Sequence, residues 1–166
     1  MTTLADVPIF GGLSPKTIDF LLERAANVAV SAGDHFFVEG ELGNCLFVLD
    51  RGRVAIERSK GDLCLLLAEF GPGDCFGEMA LVAITPRCAS ARALEDCGAL
   101  RVPNTALIEL ARADIEQFAL LQMNLGREIA RRLSITDDLL FEQLCRERDA
   151  GRDGRAIAAR FAATLK

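Results

Sequence analysis

The amino-acid sequence predicts a mainly β domain with flanking helices (α+β): an antiparallel, jelly-roll-like β-roll with an N-terminal helix and a long C-terminal helix. Two observations support this fold class. Between residues 27 and 103, short apolar runs alternate with glycine-containing turns, as they do in all-β rolls and barrels. From residue 104 onward, apolar residues recur every three or four positions, which is typical of helices. The chain has 166 residues, of which 51% are hydrophobic, so it can form one domain with a sizeable core.

The composition argues against several classes of protein. A single histidine argues against the usual zinc and non-haem iron sites, which take two or more imidazoles unless cysteines replace them. The six cysteines are scattered singly, which argues against disulfides and metal clusters. The net charge of −5 argues against a nucleic-acid surface. With no signal peptide and no apolar stretch of membrane length, we expect a cytoplasmic protein that contacts no membrane. With one histidine and scattered cysteines, we also expect a protein that is not an enzyme and needs no metal or other cofactor.

The first predicted element is a helix over residues 14–25. Ser14 is a favourable N-cap, and Pro15 suits the first helical position because its missing N–H has no helical partner there. Apolar residues at positions 18, 21 and 22 follow at helical spacing.

The β-roll is predicted over residues 27–103. Its strands are expected at apolar runs bounded by turns: Phe36–Val38, Leu46–Leu49, Val54–Ile56, Leu63–Ala68, Ala89–Leu94 and Ala99–Val102. Five phenylalanines within or beside these strands suit its interior: Phe36, Phe37, Phe47, Phe70 and Phe76.

Helices are predicted over residues 104–148. Asn104 or Thr105 can cap a short helix, and Asp114 a long one, with Gln117 as its capping-box partner. An apolar stripe interrupted only by Thr136 follows: Ile115, Phe118, Leu121, Leu125, Ile129, Leu133, Thr136, Leu140 and Leu144. Its length predicts a homodimer through the 114–147 helix; the alternative is a helix lying along its own β-roll. A short tail helix is expected within residues 149–166, outside the main domain of residues 1–148.

Residues 73–89 contain the candidate functional site. Gly77 permits a tight turn, and residues 78–82 can form one helical turn whose first amides favour an anion. Arg87 can bring a forked guanidinium to the same anion. Glu78 would repel that anion, but it could accept hydrogen bonds from sugar hydroxyls. These features fit a pocket for a phosphorylated sugar; the alternative is an ordinary turn with a surface arginine and a surface glutamate.

Two motifs of this sequence resemble the cyclic-nucleotide-binding domain family, which includes bacterial catabolite-activator regulators and regulatory subunits of cyclic-AMP-dependent kinase. Residues 76–81 (FGEMAL) and 86–89 (PRCA) look like the family's phosphate-binding cassette. Upstream, the stretch from Gly33 to Val54, with EGELG at 39–43, resembles its glycine-punctuated barrel signature. The resemblance covers roughly residues 4–145 and implies an eight-stranded β-roll with N-terminal helices and a long C-terminal helix.

The resemblance also implies which residues bind the ligand. Glu78 would accept from the ribose 2′-hydroxyl, and Arg87 would pair with the cyclic phosphate. Thr136, on the long helix, is a candidate contact to the base. The complete set of expected ligand-binding residues is Phe76, Gly77, Glu78, Met79, Ala80, Leu81, Arg87, Cys88, Ala89 and Thr136. Two residues depart from the pattern of the bacterial members: Cys88 stands where many carry Ser or Thr, and Asp137 where a small hydroxyl residue is usual in the catabolite activators.

The function expected from this resemblance is a stand-alone cyclic-nucleotide sensor that signals through its C-terminal helix to a second subunit or an unknown downstream protein. Cyclic AMP is the expected ligand, with cyclic GMP as the alternative. A hydroxyl at position 88 often accompanies cyclic-GMP preference in kinase-type relatives, and this chain has Cys88 there instead. Two alternatives stay open. One is a helix-mediated dimerisation module with a degenerate pocket. The other is the sensor half of a truncated transcription regulator; no nucleic-acid binding is expected from this chain alone, because one short helix after the long helix is too little for a helix-turn-helix.

Overall fold

The computed structural model describes residues 7–149, and side chains as far as residue 146. The chain divides into two compact units, Met1–Gly126 and Arg127–Lys166. The tail helix expected within residues 149–166 lies outside the described residues, apart from Asp149, which ends the long helix.

The first unit contains most of the secondary structure. Its helices and strands are α1 (Pro15–Leu22), β1 (Ala26–Val30), β2 (His35–Phe37), β3 (Cys45–Arg51), β4 (Val54–Lys60), β5 (Leu63–Phe70), β6 (Cys75–Phe76), α2 (Glu78–Val82), β7 (Ser90–Ala93), β8 (Cys97–Pro103) and α3 (Asn104–Ala113). The last helix, α4 (Ile115–Asp149), begins in this unit and continues into the second.

The strands among the described residues form two four-stranded antiparallel sheets, in the orders β1-β8-β3-β6 and β2-β7-β4-β5. The predicted fold class is therefore confirmed. The five phenylalanines expected in the interior contact one another between the sheets, with ring centroids 5.1–6.2 Å apart. These edge-on and stacked contacts join strands of both sheets into one core.

Strand β5 is mostly exposed, although its sequence is the most apolar run of the chain. Strand β4 pairs with β7 only over Val54–Glu57, whereas β5 follows β4 to Lys60. The outer half of the β4–β5 hairpin therefore extends past β7, and Leu63 and Leu65 in it are exposed. Leu66, whose partner Glu57 still pairs with β7, and the neighbouring Leu67 are exposed as well, on the edge strand of the sheet.

The α1 helix begins as predicted: the Ser14 hydroxyl accepts from the Thr17 amide at 3.2 Å, and Pro15 occupies the first turn. The helix ends at Leu22 and not at residue 25, because the amides of Arg24 and Ala25 bond to the carbonyls of Leu21 and Leu22 in a tightened final turn before β1 begins.

The starts of α3 and α4 agree with the sequence only in part. Neither Asn104 nor Thr105 caps α3; Pro103 holds the N-cap position, and the Asn104 amide donates to the Asn44 carbonyl. Asp114 does cap α4, accepting from the Gln117 amide at 3.1 Å.

The reciprocal half of the expected capping box is wrong. The Gln117 side-chain oxygen accepts from the Ser14 amide at 2.7 Å, and so it ties the start of α4 to the start of α1.

The apolar stripe of α4 changes its role along the helix. Leu121 and Leu125 are fully buried in a core cluster of the first unit, together with residues of α1, α3 and the first sheet. Beyond Gly126, Leu133 of the stripe is exposed, whereas Ile129, Leu140 and Leu144 are half-buried. No helix in the described part of the chain combines the length and apolar character needed to cross a membrane.

Candidate phosphate-binding cassette

Gly77 connects strand β6 to helix α2. Its φ of 81° is in the left-handed region, which glycine adopts without strain. Gly77 is the N-cap residue of α2. A Cβ at this position would lie 2.6 Å from Nη1 of Arg87. The predicted turn and one-turn helix are both present, and glycine is required for the backbone angle and for the close approach of Arg87.

The end of α2 contains a strained residue. The Ala83 amide donates to the Met79 carbonyl, and the Thr85 amide to the Ala80 carbonyl, so the helix closes through a left-handed residue, Ile84, with φ 53°. Glycine is the usual residue at such a position, because a β-branched side chain is disfavoured there. Ile84 is 90% exposed, so packing does not compensate for the strain.

Arg87 is the central residue of the cassette. It is 5% exposed, and its guanidinium donates from Nη1 to the Gly77 carbonyl at 2.5 Å and from Nη2 to the Cys45 carbonyl at 2.8 Å. Its Cζ lies 4.0 Å from the ring centroid of Phe37. Nε is buried without a hydrogen-bond partner. Within residues 7–149, Arg87 forms no ion pair with a carboxylate.

Glu78 is a second buried polar residue of the cassette. It is the first residue of α2 and is 2% exposed. Gly77 connects the two residues, because it precedes Glu78 in the chain and its carbonyl accepts from Nη1 of Arg87. The turn at Gly77 therefore links two buried polar side chains, a carboxyl group and a guanidinium.

The structure brings the other predicted residues of the 76–89 segment into the same region. Phe76, Ala80 and Ala89 are buried, and Leu81 is half-buried against the core. Met79 and Cys88 are exposed, with their sulfur atoms 3.9 Å apart.

Thr136 belongs to the second compact unit. Its hydroxyl is exposed and donates to the Arg132 carbonyl one turn earlier at 2.9 Å. Its role as a base contact stays a prediction.

Three residues around Arg87 were not predicted to act at the site: Phe37, Gly43 and Cys45. A Cβ at Gly43 would lie 2.4 Å from the Ala80 Cβ and 3.3 Å from Cζ of Arg87, so only glycine lets this loop pack against the cassette. The EGELG motif at 39–43 was the signal for it. No local signal marks Phe37 or Cys45, because strand register alone brings them to Arg87.

The chain belongs to the cyclic nucleotide-binding domain family, whose model matches residues 27–114. It is 36% identical over 151 residues to the cyclic AMP receptor protein of Thermus thermophilus, covering 86% of this chain and 66% of that protein. It is 34% identical over 143 residues to a CRP-like cAMP-activated global transcriptional regulator of Mycobacterium tuberculosis, covering 83% and 62%. The N-terminal domain of a Streptomyces coelicolor transcriptional regulator superposes with a TM-score of 0.68 at 29% identity, covering 83% of this chain and 96% of that domain.

The chain thus spans just under two thirds of the length of these two curated relatives. One is named a receptor protein and the other a transcriptional regulator, and a cyclic nucleotide-binding domain homologous to theirs is the part that this chain shares with them.

We predict that Ile84→Asn stabilises the protein by about 1 kcal/mol, because asparagine tolerates the left-handed conformation better than a β-branched residue. The exposed side chain loses little packing on substitution. Urea unfolding at neutral pH measures the difference, with Ile84→Val as the control that keeps the β-branch. Equal free energies of unfolding for the Asn and Val variants would show that the backbone at position 84 carries no strain.

Proposed function

We propose that this chain is a cyclic-nucleotide sensor whose ligand is cyclic AMP and whose phosphate-binding residue is Arg87. The observation that carries this proposal is that the Arg87 guanidinium is buried without a carboxylate partner among the described residues. It is buried and permanently charged, and within the described residues it is held by neutral carbonyls and an aromatic ring rather than by a carboxylate. A small anion supplies the charge partner that Arg87 lacks among the described residues.

The nearby carboxylate of Glu78 narrows the class of anion. Beside a bare phosphate it would be repulsive, whereas beside a sugar it can accept hydrogen bonds from hydroxyl groups. A ligand that offers both groups, a ribose ring closed by a phosphodiester, matches the buried arginine and the buried glutamate that the turn at Gly77 connects. Family membership supports the same assignment.

Cyclic AMP is favoured over cyclic GMP by two observations. Cys88 provides a thiol, a weaker hydrogen-bond donor than the hydroxyl of Ser or Thr, and a hydroxyl at that position accompanies cyclic-GMP preference in kinase-type relatives. The names of the Thermus and Mycobacterium relatives also refer to cyclic AMP.

We propose that the output runs through α4, with a regulatory and non-catalytic role like that of the relatives named above. Beyond Gly126, Leu133 is exposed and Leu140 and Leu144 are half-buried. These residues of the apolar stripe share one face of the helix, which a second copy of the helix can cover. The same observation supports a second candidate, a dimerisation module whose pocket has lost its ligand. Ligand titration separates the two functions.

We predict that Arg87→Lys weakens cyclic AMP binding about 10- to 100-fold, because lysine keeps the charge but loses the forked donor geometry. Isothermal titration calorimetry on protein freed of bound nucleotide measures this. Arg53→Lys is the matched control, since Arg53 pairs with Glu69 and Glu95 and makes no contact with the cassette. Absence of heat with either cyclic nucleotide in the wild type would remove the proposed function, and unchanged affinity in Arg87→Lys would remove Arg87 from the site.

We predict that Glu78→Gln weakens binding of cyclic AMP about tenfold, the size expected for a hydrogen bond to a charged acceptor. The same variant should bind 2′-deoxy cyclic AMP as well as the wild type does, because the hydroxyl that Glu78 accepts from is then missing. Competition titrations with the two ligands provide the comparison. An equal loss for both would mean that Glu78 acts on the fold of the cassette and not on the ribose.

We predict that the wild type sediments as a dimer and that Leu133→Glu shifts it toward the monomer, because burying a carboxylate in a helix–helix seam is costly. Sedimentation velocity at several concentrations measures the state. Ile108→Glu is the control, because it makes the same apolar-to-charged change at an exposed position of α3. A monomeric wild type would contradict the α4 seam.

A further inference from the structure

The segment of residues 39–43 holds Arg87 through its backbone. The Gly40 amide donates to the Arg87 carbonyl at 2.9 Å, and the Arg87 amide donates to the Glu41 carbonyl at 2.8 Å. At the end of the segment, Gly43 lies against the guanidinium. The position of this segment therefore determines the position of both the main chain and the side chain of Arg87.

Glu39 fixes the other side of the segment. Its amide donates to the Ser90 hydroxyl at 2.9 Å. Its carboxylate accepts from Nε of Arg58 at 3.1 Å and from the Ser59 amide at 3.3 Å. Three bonds thus connect one residue to β4 and to the start of β7.

The place of these bonds in the sheet explains why a carboxylate is needed. Strand β7 pairs with β4 only as far as the Glu57–Ser90 pair, so the next amide of β4 that faces this edge, that of Ser59, has no strand partner from β7. The Glu39 carboxylate accepts from it in place of a strand carbonyl. At the end of the paired region, the Arg92 guanidinium hydrogen-bonds Glu57 and lowers the pKa of that carboxyl, so this pair stays charged at neutral pH and anchors β4 to β7.

We propose that Glu39 is a positioning residue for ligand binding: by joining β4 to the 39–43 segment, it holds Arg87 where the guanidinium meets the ligand phosphate. This inference rests on the proposed function. If Glu39 positions Arg87, removing its carboxylate should weaken ligand binding. Charge alone predicts the opposite, because removing a carboxylate near an anion site should strengthen anion binding.

The test compares Glu39→Ala with Glu41→Ala, which removes the same charge two residues away. Within the described part of the chain, the Glu41 side chain forms no hydrogen bond or ion pair, and its main-chain carbonyl still accepts from the Arg87 amide in the variant. We expect Glu39→Ala to weaken cyclic AMP binding about three- to tenfold, the size of one hydrogen-bonded contact acting through a neighbour. Glu41→Ala should bind as well as the wild type or slightly better, and Glu39→Gln, which keeps one acceptor oxygen, should lie between the wild type and Glu39→Ala.

Two further measurements separate positioning from a general loss of structure. In the Arg87→Lys background, adding Glu39→Ala should cause little further loss of affinity, because the two residues act on the same contact. In ligand-free protein, the amides of Arg87 and Gly40 should exchange hydrogen faster in Glu39→Ala and not in Glu41→Ala.

The outcomes distinguish this inference from the proposed function. If the wild type binds no cyclic nucleotide, the proposed function fails, and with it the positioning role. If the wild type binds and Glu39→Ala binds equally well or more tightly, only the positioning role is overturned. A loss that remains at full size in the Arg87→Lys background also overturns it, since Glu39 would then act elsewhere.

Discussion

The burial of the Arg87 guanidinium is the constraint on which the rest of the site depends. Arginine cannot escape burial by losing its proton, so its surroundings must supply acceptors and polarisable groups. They come from separate parts of the chain: the carbonyl of Gly77 before α2, the carbonyl of Cys45 at the start of β3, and the ring of Phe37 in β2. The same constraint requires glycine at positions 77 and 43, since a Cβ at either one would meet the arginine side chain.

The sequence could predict those features that are determined by neighbours in the chain. Ser14 and Pro15 specify the start of α1, and Asp114 specifies the start of α4, through bonds that span three residues. Gly77 followed by a short apolar segment predicts the turn and α2 in the same way. The Phe-rich runs predict an interior packed with aromatic rings. Strand alternation alone would place only one of Phe36 and Phe37 there, whereas both reach it, at an irregularity in the register of β2.

Features that depend on contacts across the chain were not predictable from local pattern. Gln117 is positioned for a capping box, yet its side chain reaches Ser14 because α1 lies beside the start of α4. The leucines of β5 have the apolar character of a buried strand, but they are exposed on an edge strand whose outer half lies past the end of β7. Cys45 and Phe37 carry no motif of their own. Their role follows from the strand register that brings them to Arg87.

The two sides of the site differ in how easily they can move. Phe37 and Cys45 belong to strands with partners in the two sheets, so displacing them breaks ladder hydrogen bonds and aromatic contacts. On the opposite side, α2 has five residues and closes through the strained backbone of Ile84. A ligand phosphate would compete with the Gly77 carbonyl for Nη1 of Arg87. Moving α2 in response should therefore require less free energy than moving the strands. We expect conformational change on ligand binding to begin in the segment from Gly77 to Ile84, because a ligand shifts the element whose alternative states are closest in free energy.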